Sequence, residues 1–328
     1  AAGGRRMSTA SGTKASDWQK RIEGDWHGVP SVFDVEGHHV GNIKVSRASL
    51  YEGERITYTM DTLSDVRGPL RSRFEARDFA FGVRDDGRDR VYMGPDFFGA
   101  GKPWGALVDA HYYSPAWMAD LRTMVHVLPD QKTQAYSSLL FEGPTLVAVF
   151  NGLYKVGNDY GTNPETTRFV DAFLDRERKI GGNQHILPFK RAGRWVGDLA
   201  THGPDGASLG ATRVSLDYRP TTLLRASVDL HLSGAFERRL RYERARVGHR
   251  HVFDGPDVYG NAIGYGRALY TAQHFHGHAI SVEGREFIVD DDYTMSVVWK
   301  IRRSGDISHV MYGLLTWEPG ELVLASSY

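Results

Sequence analysis

The sequence predicts an all-β protein made of two antiparallel β-barrels, related by an internal duplication and joined by a short helix. Three observations lead to this prediction. The stretch GPDFFGAGKPWG at 94–105 returns as GPDVYGNAIGYG at 255–266. Segments that alternate apolar and polar residues recur in both halves, as is typical of half-buried antiparallel strands. Two further stretches have helical spacing.

The similarity between the halves extends beyond this stretch. EGDWHG with Trp26 matches AGRWVG with Trp195, and TMDT with Asp61 matches SVDL with Asp229. ALVDAHYY matches ALYTAQHF if one inserted residue is allowed. Matches that keep their order over such a distance indicate duplicated domains. The predicted division is a disordered tail at 1–16, a first barrel at 17–156, a linker with a helix at 157–189 and a second barrel at 190–328.

Each half contains about eight alternating segments joined by short turns, which suits a sandwich or a closed barrel. The stretch SDWQKRIEG predicts a short helix before the first barrel. NPETTRFVDAFLDRERK predicts a longer helix that begins after Asn163. Phe169, Val170, Phe173 and Leu174 form its apolar face, so we expect this helix to dock the two barrels together.

A short helix followed by Gly-x-Trp and an antiparallel barrel resembles the lipocalin-like, or calycin, pattern. IEGDWHG with Trp26 and KRAGRWVG with Trp195 carry the resemblance. It implies two lipocalin-like β-barrel domains in which the Trp closes one end of each barrel. The tandem arrangement is similar to carotenoid and kievitone hydratase relatives and to fungal cyclases that form decalins. No catalytic residue of those families maps onto this sequence.

Composition excludes several classes of function. Lys and Arg number 40 and Asp and Glu number 40 among 328 residues, so the net charge is zero and a nucleic-acid partner is not expected. The absence of Cys excludes disulfides and thiolate metal sites. No apolar run is long enough for a membrane span and no secretory signal is present, so we expect a cytoplasmic protein.

Common cofactor motifs are also missing. The sequence contains no Walker A, Gly-x-Gly-x-x-Gly, Gly-x-Ser-x-Gly or His-Glu-x-x-His pattern. We therefore expect no cofactor. With 7 Trp, 16 Tyr and 15 Phe, the chain can build the apolar walls of a small-molecule pocket.

The repeated stretch has two interpretations. Its Gly and Pro residues favour a fixed turn that both barrels need. Alternatively, it is a wall over each barrel mouth, with Asp96 and Asp257 turned inward. Trp104 and Tyr265 occupy the same place in the two copies, just before a strand.

The copies then diverge. His274, His276 and His278 recur at every second position and would share one face of a regular strand. They could bind zinc, transfer a proton in a pocket, or face solvent. In the first copy Asp109, His111 and Tyr113 would share one face, and inside a barrel they would form an acid–base set.

We therefore expect a cofactor-independent lyase or isomerase that acts by acid–base chemistry on an apolar aromatic, terpenoid or polyketide molecule. The alternatives are a non-catalytic carrier and a zinc enzyme that uses the three His residues. A homodimer is left open. The second barrel, with the His cluster facing its cavity and Tyr265 near its mouth, is the preferred active half. The candidate catalytic residues are His274, His276, Tyr265, Asp257, Asp109 and His111. The candidate substrate-binding residues are Tyr113, Trp104, Tyr259 and Phe275.

Overall fold

The structure is a computed structural model that describes residues 17–52, 55–85, 89–184, 191–291 and 293–321. The predicted tail at 1–16 lies outside the described residues. Helix α1 (Asp17–Ile22) precedes the first barrel, a 3-10 turn covers Gly68–Leu70, and helix α2 (Pro164–Ile180) separates the barrels.

The first barrel contains eleven strands. They are β1 (Gly24–Gly28), β2 (Ser31–Phe33), β3 (His39–Glu52), β4 (Arg55–Ser64), β5 (Arg77–Asp85), β6 (Arg90–Met93), β7 (Phe98–Trp104), β8 (Leu107–Ser114), β9 (Ala119–Val127), β10 (Thr133–Glu142) and β11 (Thr145–Val156).

The second barrel is a closed ring of the remaining strands, each antiparallel to its neighbours. They are β12 (Gly193–His202), β13 (Ser208–Thr222), β14 (Arg225–Gly234), β15 (Arg238–Val247), β16 (Arg250–Asp254), β17 (Val258–Tyr265), β18 (Ala268–Phe275), β19 (Ile280–Ile288), β20 (Thr294–Arg303) and β21 (Asp306–Pro319). The predicted all-β class with two antiparallel barrels is confirmed.

The first barrel closes through an interrupted strand. Both β1 and β2 pair with β3 on one side and β11 on the other. The interruption falls at Val29 and Pro30, where proline has no N–H to donate to a ladder. In the second barrel, β12 runs through the same place without a break.

Strand register supports the duplication. Trp26 on β1 lies opposite Val156 on β11, and Trp195 on β12 lies opposite Trp317 on β21. Met118 and Ala279, in equivalent turns, both have a φ of 48°. Both barrels contain more strands than the roughly eight predicted for a barrel of this kind.

Register also corrects two of the predicted matches. Ser46 pairs with Asp61 whereas Ser215 pairs with His231, so Asp61 corresponds to His231 and not to Asp229. The shift follows a bulge in β13 after Pro220.

The second correction concerns the turn after the repeated stretch. Trp104 pairs with Leu107 and Tyr265 pairs with Ala268. The two turns therefore have the same length, and the inserted residue that the sequence match required does not exist.

Both predicted helices are present. α1 buries Trp18 and Ile22 at one end of the first barrel. α2 begins at the predicted cap, where the Asn163 side chain accepts hydrogen bonds from the next backbone N–H groups. Val170 and Leu174 are buried as expected, but Phe169 is 56 % exposed, so the apolar face is narrower than predicted.

Helix α2 binds to both barrels. Its apolar face packs against Val29 of the first barrel. Its Glu177 carboxylate accepts a hydrogen bond from the Arg267 guanidinium in the β17–β18 turn, and both side chains are almost fully buried. The expectation that this helix docks the barrels together agrees with these contacts.

The barrels also contact each other directly, through the outer faces of β8–β11 and β18–β21. Apolar clusters fill this contact. Their buried members are Trp104, Leu107, Met124, Val298, Val310 and Tyr312 in one cluster, Leu128, Ala135, Leu153, Ala268 and Phe287 in another, and Phe33, Val149 and Tyr265 in a third.

Polar groups cross the same contact. The fully buried Arg285 guanidinium donates to the Met124 carbonyl at 3.3 Å and to the Ser137 hydroxyl at 2.9 Å. His126 Nδ1 lies 2.8 Å from the Ser296 hydroxyl. Burial, and to a lesser degree the Arg285 cation, lower the pKa of His126 to about 3.

Among the residues that the structure describes, no helix combines the length and apolar character that a membrane crossing requires.

Candidate functional site

The first barrel encloses a cavity of about 60 Å³. We call this cavity the chamber. Its lining comes from α1 and from nearly every strand of the barrel. The lining residues are Trp18, Ile22, Pro30, Ile43, Val45, Arg47, Tyr58, Met60, Phe81, Tyr92, Phe97, Val108, Ala110, Tyr112, Trp117, Thr123, Val125, Tyr136, Phe150 and Tyr154. An aromatic wall with a few polar groups is the usual form of a small-molecule site.

Large apolar side chains line both ends of the chamber. Trp18 and Ile22 of α1 close the end near the start of the barrel, and the Trp26 indole N–H fixes α1 by donating to the Ile22 carbonyl at 2.9 Å. At the opposite end, Phe97 and Trp117 from two strand connections line the chamber.

A longer connection covers that opposite end. We call residues 65–76, between β4 and β5, the lid. Phe74 of the lid is buried against Trp117, with ring centroids 5.5 Å apart. Arg73 donates to the Met118 carbonyl at 3.0 Å and to Glu142 at 2.9 Å. In the second barrel, only residues 235–237 join the equivalent strands β14 and β15.

A chain of hydroxyl groups runs along one wall of the chamber. Thr123 donates to the Tyr112 hydroxyl at 3.0 Å, and the Tyr112 and Tyr136 hydroxyls lie 3.2 Å apart. Thr123 also lies 2.8 Å from the Ser138 hydroxyl. Burial raises the pKa values of Tyr112 and Tyr136, so both phenols stay protonated at neutral pH and can donate to a ligand.

Arg47 is the charged residue of the lining. Its guanidinium donates to the side-chain oxygen of Gln134. The guanidinium carbon lies 5.4 Å from the ring centroid of Tyr154 and 5.9 Å from that of Tyr58. Among the described residues no carboxylate forms an ion pair with Arg47, and its Nε has no hydrogen-bond partner.

A second arginine lies near the chamber but is paired. Arg90, buried beside Trp18, forms an ion pair with Asp85 at 3.3 Å and donates to the Tyr58 hydroxyl at 3.4 Å. Its charge is therefore compensated within the protein, unlike that of Arg47.

The predicted His cluster does not face a cavity. His274, His276 and His278 are all exposed on the outside of the second barrel. The first two stack on Tyr259, with ring centroids 5.0 and 4.8 Å away. Within the described part of the chain, no three His, Asp or Glu side chains are grouped so that they could hold a metal ion. The expectation that His274 and His276 line the barrel interior is wrong.

Asp109, His111 and Tyr113 do share one face of β8, but it is the outer face. The inward residues of β8 are Val108, Ala110 and Tyr112, which line the chamber. Asp109 instead accepts a hydrogen bond from Lys300 of the second barrel at 3.0 Å. Alternate residues of a strand point to opposite faces, so a shift of one position exchanges the inner and outer sets. The sequence pattern did not determine which set of β8 residues faces the interior.

The other candidate residues are structural. Trp104 and Tyr265 are buried between the barrels, so Tyr265 is not at the mouth of the second barrel. Burial raises the pKa of Tyr265 to about 12. Phe275 belongs to the core of the second barrel.

The repeated stretch is a short loop that leads into a strand, β7 in the first barrel and β17 in the second, so it is not the turn that the sequence predicted. Asp96 accepts a hydrogen bond from the Ala80 backbone N–H at 2.9 Å, and Asp257 accepts one from the Arg241 N–H at 2.7 Å. The carboxylates thus fix each loop to β5 or β15. The two carboxylates do not point into a barrel, whereas Phe97 of the first copy lines the chamber. The stretch therefore has a structural role in both copies and also forms part of the chamber wall in the first.

The glycines of this stretch serve the same purpose. A Cβ on Gly94 would lie 3.0 Å from the Cα of Phe81, and one on Gly255 would lie 2.6 Å from the Cα of Tyr242. Contacts this close to backbone exclude larger residues at both positions, which explains why the stretch is similar in the two copies.

The residues of the chamber were not among those that the sequence pattern singled out. Tyr112 is in β8 beside the predicted residues, and Tyr136 is in β10 between Gln134 and Ser138, two buried polar residues on the same side of that strand. The signal was polar residues at the buried positions of alternating strands. Comparison of the two copies did not reveal this signal, because the position of Arg47 is occupied by the apolar Leu216 in the second copy.

Comparisons with known proteins support the fold and point to no particular function. No profile of a known protein family and no curated protein matches the chain. A protein of unknown function from the DUF3598 family of Nostoc punctiforme has a similar structure, with a TM-score of 0.58 and 13% identity over 94% of this chain and all of that one. A putative AttH from Nitrosomonas europaea aligns over 89% of this chain and 91% of its own, with 9% identity and a TM-score of 0.18. The first similarity is one of fold and covers nearly the whole chain.

Proposed function

We propose that the first barrel binds a small, mostly apolar molecule and that the protein is a carrier or receptor for it. The observation that carries this proposal is the chamber itself, which combines an aromatic wall with an internal row of hydrogen-bond donors. The second barrel has an apolar core at equivalent positions, and we assign it a supporting role.

The lining favours binding over acid–base catalysis. No Asp, Glu or His contributes to the chamber wall that the structure describes. Burial raises the pKa values of Tyr112 and Tyr136 there, so both phenols are poor bases at neutral pH. The carrier alternative therefore fits these residues better than the lyase or isomerase expectation.

The size of the chamber implies that it opens. One water molecule needs about 10–15 Å³ of such space, so the closed chamber holds only a few waters or a small ligand group. A ligand with an aromatic ring must displace side chains. Phe74 in the lid and Met60 in the wall are suited to this, because the lid is a surface connection and Met is flexible.

The second barrel suggests how to test the proposal. Thr123 pairs with Ser138 across β9 and β10, and the equivalent pair is Gly284 with Trp299. We expect Thr123→Gly/Ser138→Trp to fill the chamber and to weaken binding at least 100-fold while the fold is kept. Thr123→Ala/Ser138→Ala is the matched control that preserves the space.

Binding is measured by thermal shift and by quenching of Trp18 and Trp117 fluorescence, with a panel of aromatic and apolar fragments. If the filled variant binds the fragments as well as the wild-type protein does, the chamber is not the site. If no fragment binds the wild-type protein, the carrier proposal fails.

A lyase or isomerase remains the second candidate, because the Tyr112–Tyr136 hydroxyl pair could hold a carbonyl oxygen of a substrate. Conversion of a bound fragment, followed by mass spectrometry, separates the two. Loss of turnover in Tyr112→Phe with unchanged binding would favour the enzyme.

A further inference from the structure

Arg47 presents an uncompensated positive charge to the chamber. Its contacts are the Gln134 oxygen and the rings of Tyr58 and Tyr154, all of which are neutral groups. Arg47 is partly buried, and a charge that is partly shielded from water is stabilised when it is paired. Arg90, a short distance along the same barrel, has Asp85 as its partner, so the protein supplies a counter-ion where the role is structural.

Unused hydrogen-bond donors accompany this charge. The Nε of Arg47 has no partner, and neither has the side-chain nitrogen of Gln134, although Gln134 is fully buried. The Gln134 oxygen accepts a hydrogen bond from Arg47. The Gln134 nitrogen belongs to the same side-chain amide, so it lies close to the guanidinium. Buried donors are nearly always satisfied, so two unused donors beside a cation indicate a missing acceptor.

We infer that the ligand carries a carboxylate that binds Arg47 and Gln134, with its apolar body among the aromatic rings of the chamber. This inference rests on the proposed carrier function. Arginine matches a carboxylate through two parallel N–H donors, and the low dielectric of the barrel interior strengthens the pairing. Stacking between the Tyr58 and Tyr154 rings holds the guanidinium in place before the ligand arrives.

The second barrel lacks both donors. The positions of Arg47 and Gln134 correspond by register to Leu216 and Met295. An apolar pair is thus compatible with this barrel architecture. The Arg–Gln pair is a feature of the barrel with the chamber, which supports a role in ligand recognition over one in folding.

The test compares matched carboxylates and amides. Binding of 2-naphthoate and 2-naphthamide, and of benzoate and benzamide, is measured by titration calorimetry at pH 7. We expect the carboxylates to bind wild-type protein at least tenfold more tightly than their amides.

Two variants locate the effect. Arg47→Leu/Gln134→Met copies the second barrel and should bind acid and amide alike. Gln134→Glu keeps the shape and gives Arg47 an internal counter-ion, so it should lose the preference for carboxylates at least tenfold while still binding the amides. Because the second variant is nearly isosteric, a folding defect in the first would not decide the outcome.

Three results would overturn the inference. Equal binding of acids and amides to the wild-type protein would refute it while leaving the carrier proposal intact. A carboxylate preference that persists in both variants would place the anion elsewhere. Absence of binding by all four probes would refute the carboxylate site together with a chamber for ring-sized ligands.

Discussion

Where β9 lies beside β10, the first barrel places Thr123 opposite Ser138, whereas β19 and β20 of the second barrel place Gly284 opposite Trp299. The hydroxyl pair leaves space, and the Gly–Trp pair fills it. A Cβ on Gly284 would lie only 3.0 Å from the Trp299 ring, so the glycine makes room for the indole. The same pairing of strands is thus compatible with an open interior in the first barrel and with a packed core in the second.

The same contrast holds along the other inward positions. Tyr92, Tyr136 and Tyr154 line the chamber, and the second barrel carries Phe253, Val297 and Leu315 at the corresponding places. The second barrel keeps a polar group elsewhere, where buried Arg244 contacts Glu286 at 3.4 Å and His251 at 3.2 Å. The two copies have therefore diverged mainly in the polarity of their interiors.

The largest expected effect concerns the packed barrel. Trp299→Ala should lower the free energy of unfolding by about 3–5 kcal/mol, because it empties a core position. Ser138→Ala at the equivalent place in the first barrel should cost only about 1 kcal/mol, for one hydrogen bond. Urea unfolding of both variants provides the measurement. Equal losses would show that the two interiors are packed alike.

An intermediate effect distinguishes His126 from its counterpart Phe287. In the folded protein the pKa of His126 is about 3, so the imidazole stays neutral until the pH falls to near that value. In the unfolded chain its pKa is about 6.5, so it takes up a proton at a higher pH. Stability from this residue is therefore complete above pH 6.5 and declines as the pH falls towards 3.

Between pH 7 and pH 5 the wild-type protein should lose about 2 kcal/mol through His126, since each pKa unit corresponds to about 1.4 kcal/mol. His126→Gln should lose correspondingly less over the same interval, as measured by denaturant unfolding at each pH. His276→Gln, at an exposed site, serves as the control and should follow the wild-type protein. An unchanged pH dependence in His126→Gln would contradict the assignment.

The smallest effect concerns the lid, which the second barrel lacks. Glu142→Gln removes the partner of Arg73 and should cost about 1 kcal/mol in stability, because the Glu142 side chain is exposed although that of Arg73 is largely buried. Release of a bound fragment should become a few-fold faster, which stopped-flow fluorescence can follow. The matched control is Asp198→Asn, which removes an exposed pair with Arg213 in the second barrel. Identical release rates in the two variants would show that the lid does not control release of the ligand.

The sequence alone predicted the barrels, the duplication and both helices, because alternation, turn residues and capping are local signals. It could not predict the chamber, because this depends on which alternate residues of β8 face the interior of the barrel. Asp109, His111 and Tyr113 drew attention as chemical groups, yet the residues that face inward are Val108, Ala110 and Tyr112. Which residues face inward is set by long-range pairing and core packing, which a single strand does not encode.

The His274–His278 segment illustrates the same limit. Its spacing predicted one shared strand face, but β18 ends at Phe275, so His276 and His278 lie in the following turn and all three side chains are exposed. Arg47 was overlooked for the opposite reason. A lone cation in an alternating strand is usually on the surface, and its inward direction follows from pairing with Trp26 and Met60 on the neighbouring strands.

The contact between the barrels has a symmetry of its own. Met124 and Arg285 occupy equivalent positions in the two copies and touch each other. Such a self-paired contact marks a twofold axis.

The contacts away from this axis come in reciprocal pairs. Asn151 donates to the Tyr265 carbonyl, and the counterparts of these residues, Tyr312 and Trp104, lie together in another cluster. Likewise His126 meets Ser296, while their counterparts Phe287 and Ala135 pack together.

Reciprocity of this kind is the defining property of an isologous interface, the arrangement found in dimers of identical subunits. The chain thus has the internal arrangement of a symmetric dimer, with α2 as the covalent connection between its halves. Because the halves are joined, each keeps its partner even where their sequences differ. One half has a packed core beside the shared interface, while the other carries polar groups in its interior.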